Sequence, residues 1–350
     1  MTTPRCITHR RRRTPWTSEH NRNGVQCTVC FHVDDVMVTS EDESMLDVFE
    51  EVTKRKYENV SVTRGSRHSY LGRLFDFCGD FKCKVSMTGY IDRLIGEEGI
   101  EGRAVSPATD MLFKIDPDAE KLGAAEKKRF YSTVQRLLYL SVQFRRDITL
   151  AIAFLTTRVR EPDVDDRKKL LRVLMYLNAT KDLCLVFAGD GSKIVVLRIS
   201  IDAAFALHWD GKSHSGYVAI IGGGSVEAKS KKQSLVTKSS TEAEMVALSD
   251  MSSLAIWLRE FLIGQGYEME RIVIEQDNKS CIQLIETGRT VNPNSRHINN
   301  KYFFIKDRIK MGELRLEYTP TEELVADVLT KPVQGDRFRF LRTKLMNHSL

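Results

Sequence analysis

Residues 191–333 predict a mixed α/β fold, a five-stranded sheet with flanking helices, and three observations carry that reading. After Gly189-Asp190-Gly191 the pattern changes to strands, with candidates at 194–201, 216–222 and 225–236 separated by turns rich in Gly, Asp, Lys and Ser. A long helix over about 240–263 follows, opened by a Ser239-x-x-Glu242 capping box. Strand and helix then alternate: strand 271–276, helices 278–287 and 296–310, strand 313–319, and a last helix 322–330 stopped by Pro332. Three meandering strands followed by helix, strand, helix and strand describe one mixed sheet.

Upstream, residues 1–23 read as a disordered basic tail. Residues 25–40 read as a β-hairpin with Asp34 and Asp35 at its turn, followed by a helix over 42–56 with Met45, Leu46, Phe49 and Val52 on one face. A second hairpin is expected around 60–86. Residues 90–190 are mostly helical, with segments at about 124–143, 148–158 and 163–177. The domain boundaries expected are therefore 1–23, 24–100, 101–190 and 191–333, with a C-terminal tail over 334–350.

Bulk composition narrows the class. With 42% hydrophobic and 29% charged residues the chain is an ordinary globular one, and no apolar run approaches the roughly 18 residues that span a bilayer. The formal charge of +6 is local: residues 1–22 carry six Arg and one Glu, leaving +1 for the remaining 328. The run Arg10-Arg11-Arg12-Arg13 reads as a solvated tail or as a polyanion contact. Seven cysteines fit a reducing compartment, and Cys27-x-x-Cys30 lies in a strand-like run where residues three apart face opposite ways, which argues against a shared metal. The N-terminus lacks the apolar stretch of a secretory signal.

Four carboxylates occupy positions that are hard to explain structurally. Asp202 closes the apolar run that begins at Val195, Asp277 ends the strand 271–276, and Asp327 lies between Ala326 and Val328. Glu244 heads the apolar helix face of Ala247, Leu248, Met251 and Ala255, about 200° around the helix from the capping Glu242. Three of them have a bland alternative: a turn for Asp202, a helix cap for Asp277, a solvated face for Asp327. Acids buried near one another are costly unless a cation holds them, and two Mg²⁺ ions held by acids are a recurring device for breaking phosphodiesters.

The words around these acids narrow the reading. Ser239-Ser-Thr-Glu-Ala-Glu244, Gln276-Asp-Asn-Lys-Ser280, Arg296-His-Ile298 and Ala326-Asp-Val-Leu-Thr-Lys-Pro332 resemble the ribonuclease H domain of copia-type retrotransposon Pol polyproteins. The resemblance implies a ribonuclease H-like fold in which Asp202, Glu244, Asp277 and Asp327 hold two Mg²⁺ (or Mn²⁺) ions. It implies cleavage of the RNA strand of an RNA–DNA hybrid, with Ser240, Asn278, Lys279, Arg296, His297 and Lys301 as candidate nucleic-acid contacts. His297 either assists proton transfer or product release, or fills a polar pocket. Trp209 and Trp257 read as packing residues.

Phe31-His-Val-Asp-Asp35 is similar to the reverse-transcriptase palm motif, with His32 where tyrosine is usual. Tyr70-Leu-Gly72, Leu137-Leu-Tyr139, Arg146-Asp-Ile148 and Tyr176-Leu177 up to Thr180 resemble later palm and thumb segments, with Arg146 in place of the usual proline. Residues 24–100 thus resemble a partial palm and 101–190 a helical thumb or connection. Only 33 residues precede Asp34, so this stretch is expected to lack the family's first palm carboxylate and fingers, and Asp34 and Asp35 are read as a vestigial polymerase metal site. The function expected is metal-dependent RNA cleavage in hybrids without polymerase activity. The alternative is an inactive remnant that binds nucleic acid or a partner protein. Other polyprotein-derived chains are possible partners, and the resemblance implies cytoplasmic or nuclear action.

Overall fold

The computed structural model describes residues 16–22, 25–79, 81–192, 194–287 and 296–348. The chain opens with a three-stranded antiparallel sheet of β1 (Trp16–Arg22), β2 (Val25–His32) and β3 (Asp35–Ser40). The strand Trp16–Arg22 corrects the expected tail at those residues, and the rest of the expected tail, with its arginine run, lies outside the described residues. Pairing explains the strand: each of its residues has a register partner, from Trp16↔Phe31 to Arg22↔Val25. Helix α1 (Glu43–Lys56) follows, its first turn capped by the Asp42 carboxylate accepting from Ser44 N. It seals a small core of Cys27, Val29 and Met45.

The second sheet contains β4 (Arg67–Tyr70), β5 (Arg73–Gly79) and β6 (Lys82–Ser86), and is completed from far along the chain by β7 (Leu185–Ala188). Between β6 and β7 lie α2 (Thr88–Glu98), α3 (Ala124–Gln143), α4 (Thr149–Arg158) and α5 (Val164–Ala179), close to the helical segments expected. Helix α5 starts on a full capping box, in which Asp163 accepts from Asp166 N and Asp166 accepts from Asp163 N.

The strands that follow are β8 (Ile194–Val195), β9 (Arg198–Ala204), β10 (His214–Ile221) and β11 (Gly224–Lys232), then α6 (Ser240–Gly264). After these come β12 (Glu268–Met269), β13 (Ile272–Gln276), α7 (Lys279–Thr287), α8 (Arg296–Lys310) and β14 (Leu314–Tyr318). The main sheet has the order β11-β10-β9-β13-β14, antiparallel through the first three strands and parallel through the last three. This is the five-stranded mixed α/β sheet read from the sequence. The first expected strand, 194–201, is divided: Ile194–Val195 pairs with Glu268–Met269, and the main sheet begins at Arg198.

Two differences lie at the C-terminal end. The helix expected at 322–330 is a short 3₁₀ turn over Val325–Leu329. The segment 334–350, expected to be a tail, contains α9 (Gly335–Met346). Its Phe338, Leu341, Leu345 and Met346 are buried among the helices of 88–179, so apolar packing rather than local pattern fixes it.

The main sheet separates two apolar cores. Helices α6, α7 and α8 cover one side around Ile199, Ile201, Leu248, Met251 and Ile274. On the other side Val218, Ala228, Val325, Val328 and Leu329 join the core built by α2 to α5 and α9. Among the described residues no helix is long and apolar enough to cross a membrane.

Candidate metal centre

Strand β9 is buried along nearly its whole length, with Ile199 and Ile201 facing α6 and Ser200 and Asp202 reaching the 3₁₀ turn. Ser200 Oγ accepts from Ala326 N at 3.0 Å, and Asp202 accepts a short hydrogen bond from Thr330 Oγ1. Both ends of the turn are thereby tied to one strand. The approach depends on Gly216, the register partner of Asp202 on β10: a Cβ there would lie 2.7 Å from Thr330 Cγ2 and 2.8 Å from Leu329 Cβ.

Helix α6 carries Glu244 in its first turns. Ser239 Oγ accepts from Glu242 N at 3.2 Å, as the capping box requires, while Glu242 Oε2 accepts from Lys238 N, one residue before the expected partner. Glu242 is therefore engaged in capping, and Glu244 is buried on the opposite side with Ala247, Leu248, Met251 and Ala255. Its Oε2 accepts from Gln276 Nε2 at 3.0 Å. Asp277 follows β13 directly, half-buried, and accepts from Thr321 Oγ1 at 2.7 Å. The cap of α7 is Asn278, whose Oδ1 accepts from Cys281 N at 2.9 Å, so Asp277 is not used as a cap.

One carboxylate oxygen each from Asp202, Glu244 and Asp277 lies within 4.8 Å of the others. Burial, reinforced by the neighbouring carboxylates, pushes the Asp202 carboxyl up and the Glu244 carboxyl well up from their ordinary values. Three hard oxygen donors, two of them desolvated and repelling, are the donor set that Mg²⁺ or Mn²⁺ takes. On donor chemistry the residues fit a divalent ion.

The fourth acid behaves differently. Asp327 is fully buried on the 3₁₀ turn and is not in that cluster. Its carboxylate accepts from Lys331 Nζ at 2.5 Å and from Arg337 Nη2 at 2.6 Å. Lys331 Nζ also lies 3.4 Å from Asp202 Oδ2, so the ammonium stands between the two acids where a metal ion could otherwise be held. Burial works against that charge, but Asp202 and Asp327 outweigh it and hold the lysine above its ordinary value.

The expected nucleic-acid contacts are scattered in role. Ser240 is exposed at the start of α6. Asn278 serves as a cap, the Lys279 ammonium lies 4.5 Å from the centre of the Tyr318 ring, and Lys301 pairs with Asp250 at 2.6 Å. Arg296 and His297 begin α8, and their side chains lie outside the described residues. Asp34 and Asp35 are exposed at the β2–β3 turn, next to Val33 at φ 54°, an uncommon value for a β-branched residue. Residues that sequence reading passed over include Gln276, Thr321, Thr330, Lys331 and Arg337. Thr330 and Lys331 were visible in Ala326-Asp-Val-Leu-Thr-Lys-Pro332, and Lys331 stands four residues after Asp327, a spacing at which helical side chains meet.

A sheet of this order, with acids at the end of its first strand, in its first helix and after its fourth strand, defines a ribonuclease H-like domain. The chain as a whole is a distant homologue of the Pol polyproteins of copia- and Ty1-type retrotransposons. It is 26% identical over 328 residues, 91% of its length, to the Retrovirus-related Pol polyprotein from transposon TNT 1-94 of Nicotiana tabacum. It is 23% identical over 337 residues to the Transposon Ty1-H Gag-Pol polyprotein of Saccharomyces cerevisiae. It spans 24% of the first relative's length and 19% of the second's. No family model matches the chain. Among solved structures, LC11-RNase H1 in complex with an RNA/DNA hybrid aligns over 38% of this chain and 92% of its own, at 16% identity and a TM-score of 0.29. The N-terminal ribonuclease H domain of a Mycobacterium tuberculosis protein aligns over 39%, at 15% identity and the same score. Alignments at that level decide nothing here, and the fold is read from the strand order.

Proposed function

We propose that the chain hydrolyses the RNA strand of RNA–DNA hybrids in a reaction that needs divalent metal, as the ribonuclease H part of a retrotransposon Pol polyprotein. The observation that carries this reading is the convergence of Asp202, Glu244 and Asp277, from three separate elements, within 4.8 Å. Burying acids together is costly unless a cation holds them. Asp202, Glu244 and Asp277 would hold the first ion, and Asp202 with Asp327 a second. When bound, Mg²⁺ would lower the pKa of an attacking water and offset charge on the scissile phosphate. The protein's own part is to fix the donors: Gln276 orients Glu244, Thr321 orients Asp277, and Thr330 orients Asp202.

Discrimination between strands would come from contacts to 2′-hydroxyls and backbone rather than base edges. Ser240, Asn278, Lys279, Arg296, His297 and Lys301 remain the proposed contacts, with Lys301 reaching substrate only by leaving Asp250. The limits 24–100, 101–190 and 191–333 are proposed only as the segments that resemble palm, thumb and ribonuclease H, not as separate folding units, because β7 completes the sheet of β4 to β6 and α9 packs with α2 to α5. Asp34 and Asp35 are proposed as a vestige, because they stand exposed on a turn with no third carboxylate grouped with them among the described residues.

The test is cleavage of a hybrid labelled on either strand. Cutting of RNA alone in Mg²⁺, stopped by EDTA and by Asp277→Asn, is expected. Cutting of both strands, or of RNA equally well in Asp277→Asn, contradicts the proposal. Templated primer extension by the same protein is expected to be absent, and its detection would overturn the vestigial reading of Asp34 and Asp35. A second reading, an inactive remnant that binds nucleic acid or a protein, is favoured by one observation: Asp327 is fully engaged by Lys331 and Arg337.

A further inference from the structure

We infer that Lys331 is a tethered cation: its ammonium fills the Asp202–Asp327 side of the acidic site and has to swing out before a divalent ion can bind there. The inference rests on the metal-dependent reading above and adds a competing group to it.

Three observations carry it. The acidic site has two sides that share Asp202. On one side Asp202, Glu244 and Asp277 present oxygens with no cationic side chain bonded to Glu244 or Asp277 among the hydrogen bonds and ion pairs described. On the other, Lys331 Nζ sits 2.5 Å from Asp327 Oδ1 and 3.4 Å from Asp202 Oδ2. The two sides therefore differ in what an entering ion must displace. Second, the lysine can leave. Its side chain is 43% exposed, whereas those of Asp327 and Asp202 are 0% and 2% exposed. A long flexible stem with its outer part in solvent can move its charge to water while the acids stay fixed. Third, departure does not strip Asp327 of all compensation. Arg337 Nη2 remains at 2.6 Å from Asp327 Oδ2 and is itself held by the Thr321 carbonyl at 2.8 Å. Arg337 acts as the structural partner and Lys331 as the exchangeable one.

Two consequences follow from charge alone. The ion on the Glu244–Asp277 side binds first, and the ion on the Asp327 side binds more weakly because it must replace a cation that is already there. Removing the lysine charge at constant stem length should tighten that weaker step by about tenfold or more, the scale set by one opposed charge near an ionised group.

The experiment is calorimetric titration of Mn²⁺ into the full chain, comparing wild type with Lys331→Met and Lys331→Arg, each first checked for folding by circular dichroism. Wild type is expected to show a tighter and a weaker step. In Lys331→Met the weaker step tightens at least tenfold and by more than the tighter one, which shares only Asp202 with the lysine, and Lys331→Arg, which keeps the charge, stays at or below wild type. A weaker step that is unchanged or lost in Lys331→Met overturns the tethered-cation role while leaving the three-acid site standing. Tightening in Lys331→Arg equal to that in Lys331→Met also overturns it, because charge would then not be the cause. If no variant, wild type included, takes up Mn²⁺, the metal reading fails and the inference fails with it.

Discussion

Glu244 shows at the scale of one residue what the site costs the metal-free protein. Its carboxyl is held well up by burial and by Asp202 and Asp277, so ionising it at neutral pH works against folding. Glu244→Gln keeps the shape and can still pair with Gln276 while removing that charge. It is expected to raise unfolding stability in EDTA at pH 7.5, because the folded state no longer has to hold a buried charge there. Urea unfolding checks it, and the same variant should lose hybrid cleavage.

His214 gives the opposite pH signature. Burial, with His208 beside it, pushes its pKa down to about 3 from the ordinary 6.5, and its ring bonds His208 and Ser230 Oγ. A base whose folded pKa is depressed contributes stability above the unfolded value and loses it as pH falls through the folded one. Wild type is thus expected to lose more stability than His214→Gln between pH 6.5 and 4, by differential thermal melting. Asp202, Glu244 and Asp277, which the structure groups, stood out in the sequence because they end or head apolar runs, whereas Asp327 stood out in the same way and lies outside that group. The spacing of Lys331 from Asp327 was visible there too, but its contact with Asp202 was not, because Asp202 is brought to it from 129 positions away.

Among elements, the contact between β10 and the 3₁₀ turn governs the site most directly. Gly216 leaves no room for a Cβ against Leu329 and Thr330, and that turn carries Asp327 and the hydroxyl on Asp202. Gly216→Ala is expected to destabilise by about 1–3 kcal/mol, the usual range for overpacking, and to slow cleavage by pushing the turn outward. A melting curve and a cleavage rate read both effects. Helices and strands with strong periodicity were readable almost to the residue, as with the expected 240–263 and the observed Ser240–Gly264. The turn and α9 were not. Val325–Leu329 is too short for a period to distinguish 3₁₀ from α, and it is shaped by Ser200 and Gly216 from distant strands. In α9 the apolar Phe338, Leu341 and Leu345 stand at helical spacing, but with Arg337, Arg339, Arg342 and Lys344 among them in a short terminal segment the stretch reads as a tail. That face packs against the helices before the sheet, and the Arg342 guanidinium meets the Tyr176 hydroxyl of α5 at 3.4 Å.

On the scale of the molecule, the ribonuclease H-like sheet and the helices before it share a core. Leu341, Leu345 and Met346 of α9 pack in the same cluster as Leu137, Ile152 and Leu174, together with Val328 and Leu329 of the site turn. Arg146, at the position where the resemblance leads one to expect proline, adds a polar tie by donating to the Val226 carbonyl of β11 at 3.1 Å. Leu341→Ala is expected to cost about 2–5 kcal/mol, as for other buried leucines, and to lower cleavage although it touches no acid. Ending the chain at residue 333 should expose that core and leave the protein aggregation-prone in size-exclusion chromatography.

The central claim is that Asp202, Glu244 and Asp277 act as one metal-holding unit, and hybrid-cleavage rates of Asp202→Asn, Glu244→Gln, Asp277→Asn and the triple variant test it most directly. Groups that act together are expected to be non-additive, so each folded single variant should lose about as much rate as the triple. A folded single variant that keeps the wild-type rate, or losses that simply multiply across the three, would contradict the account.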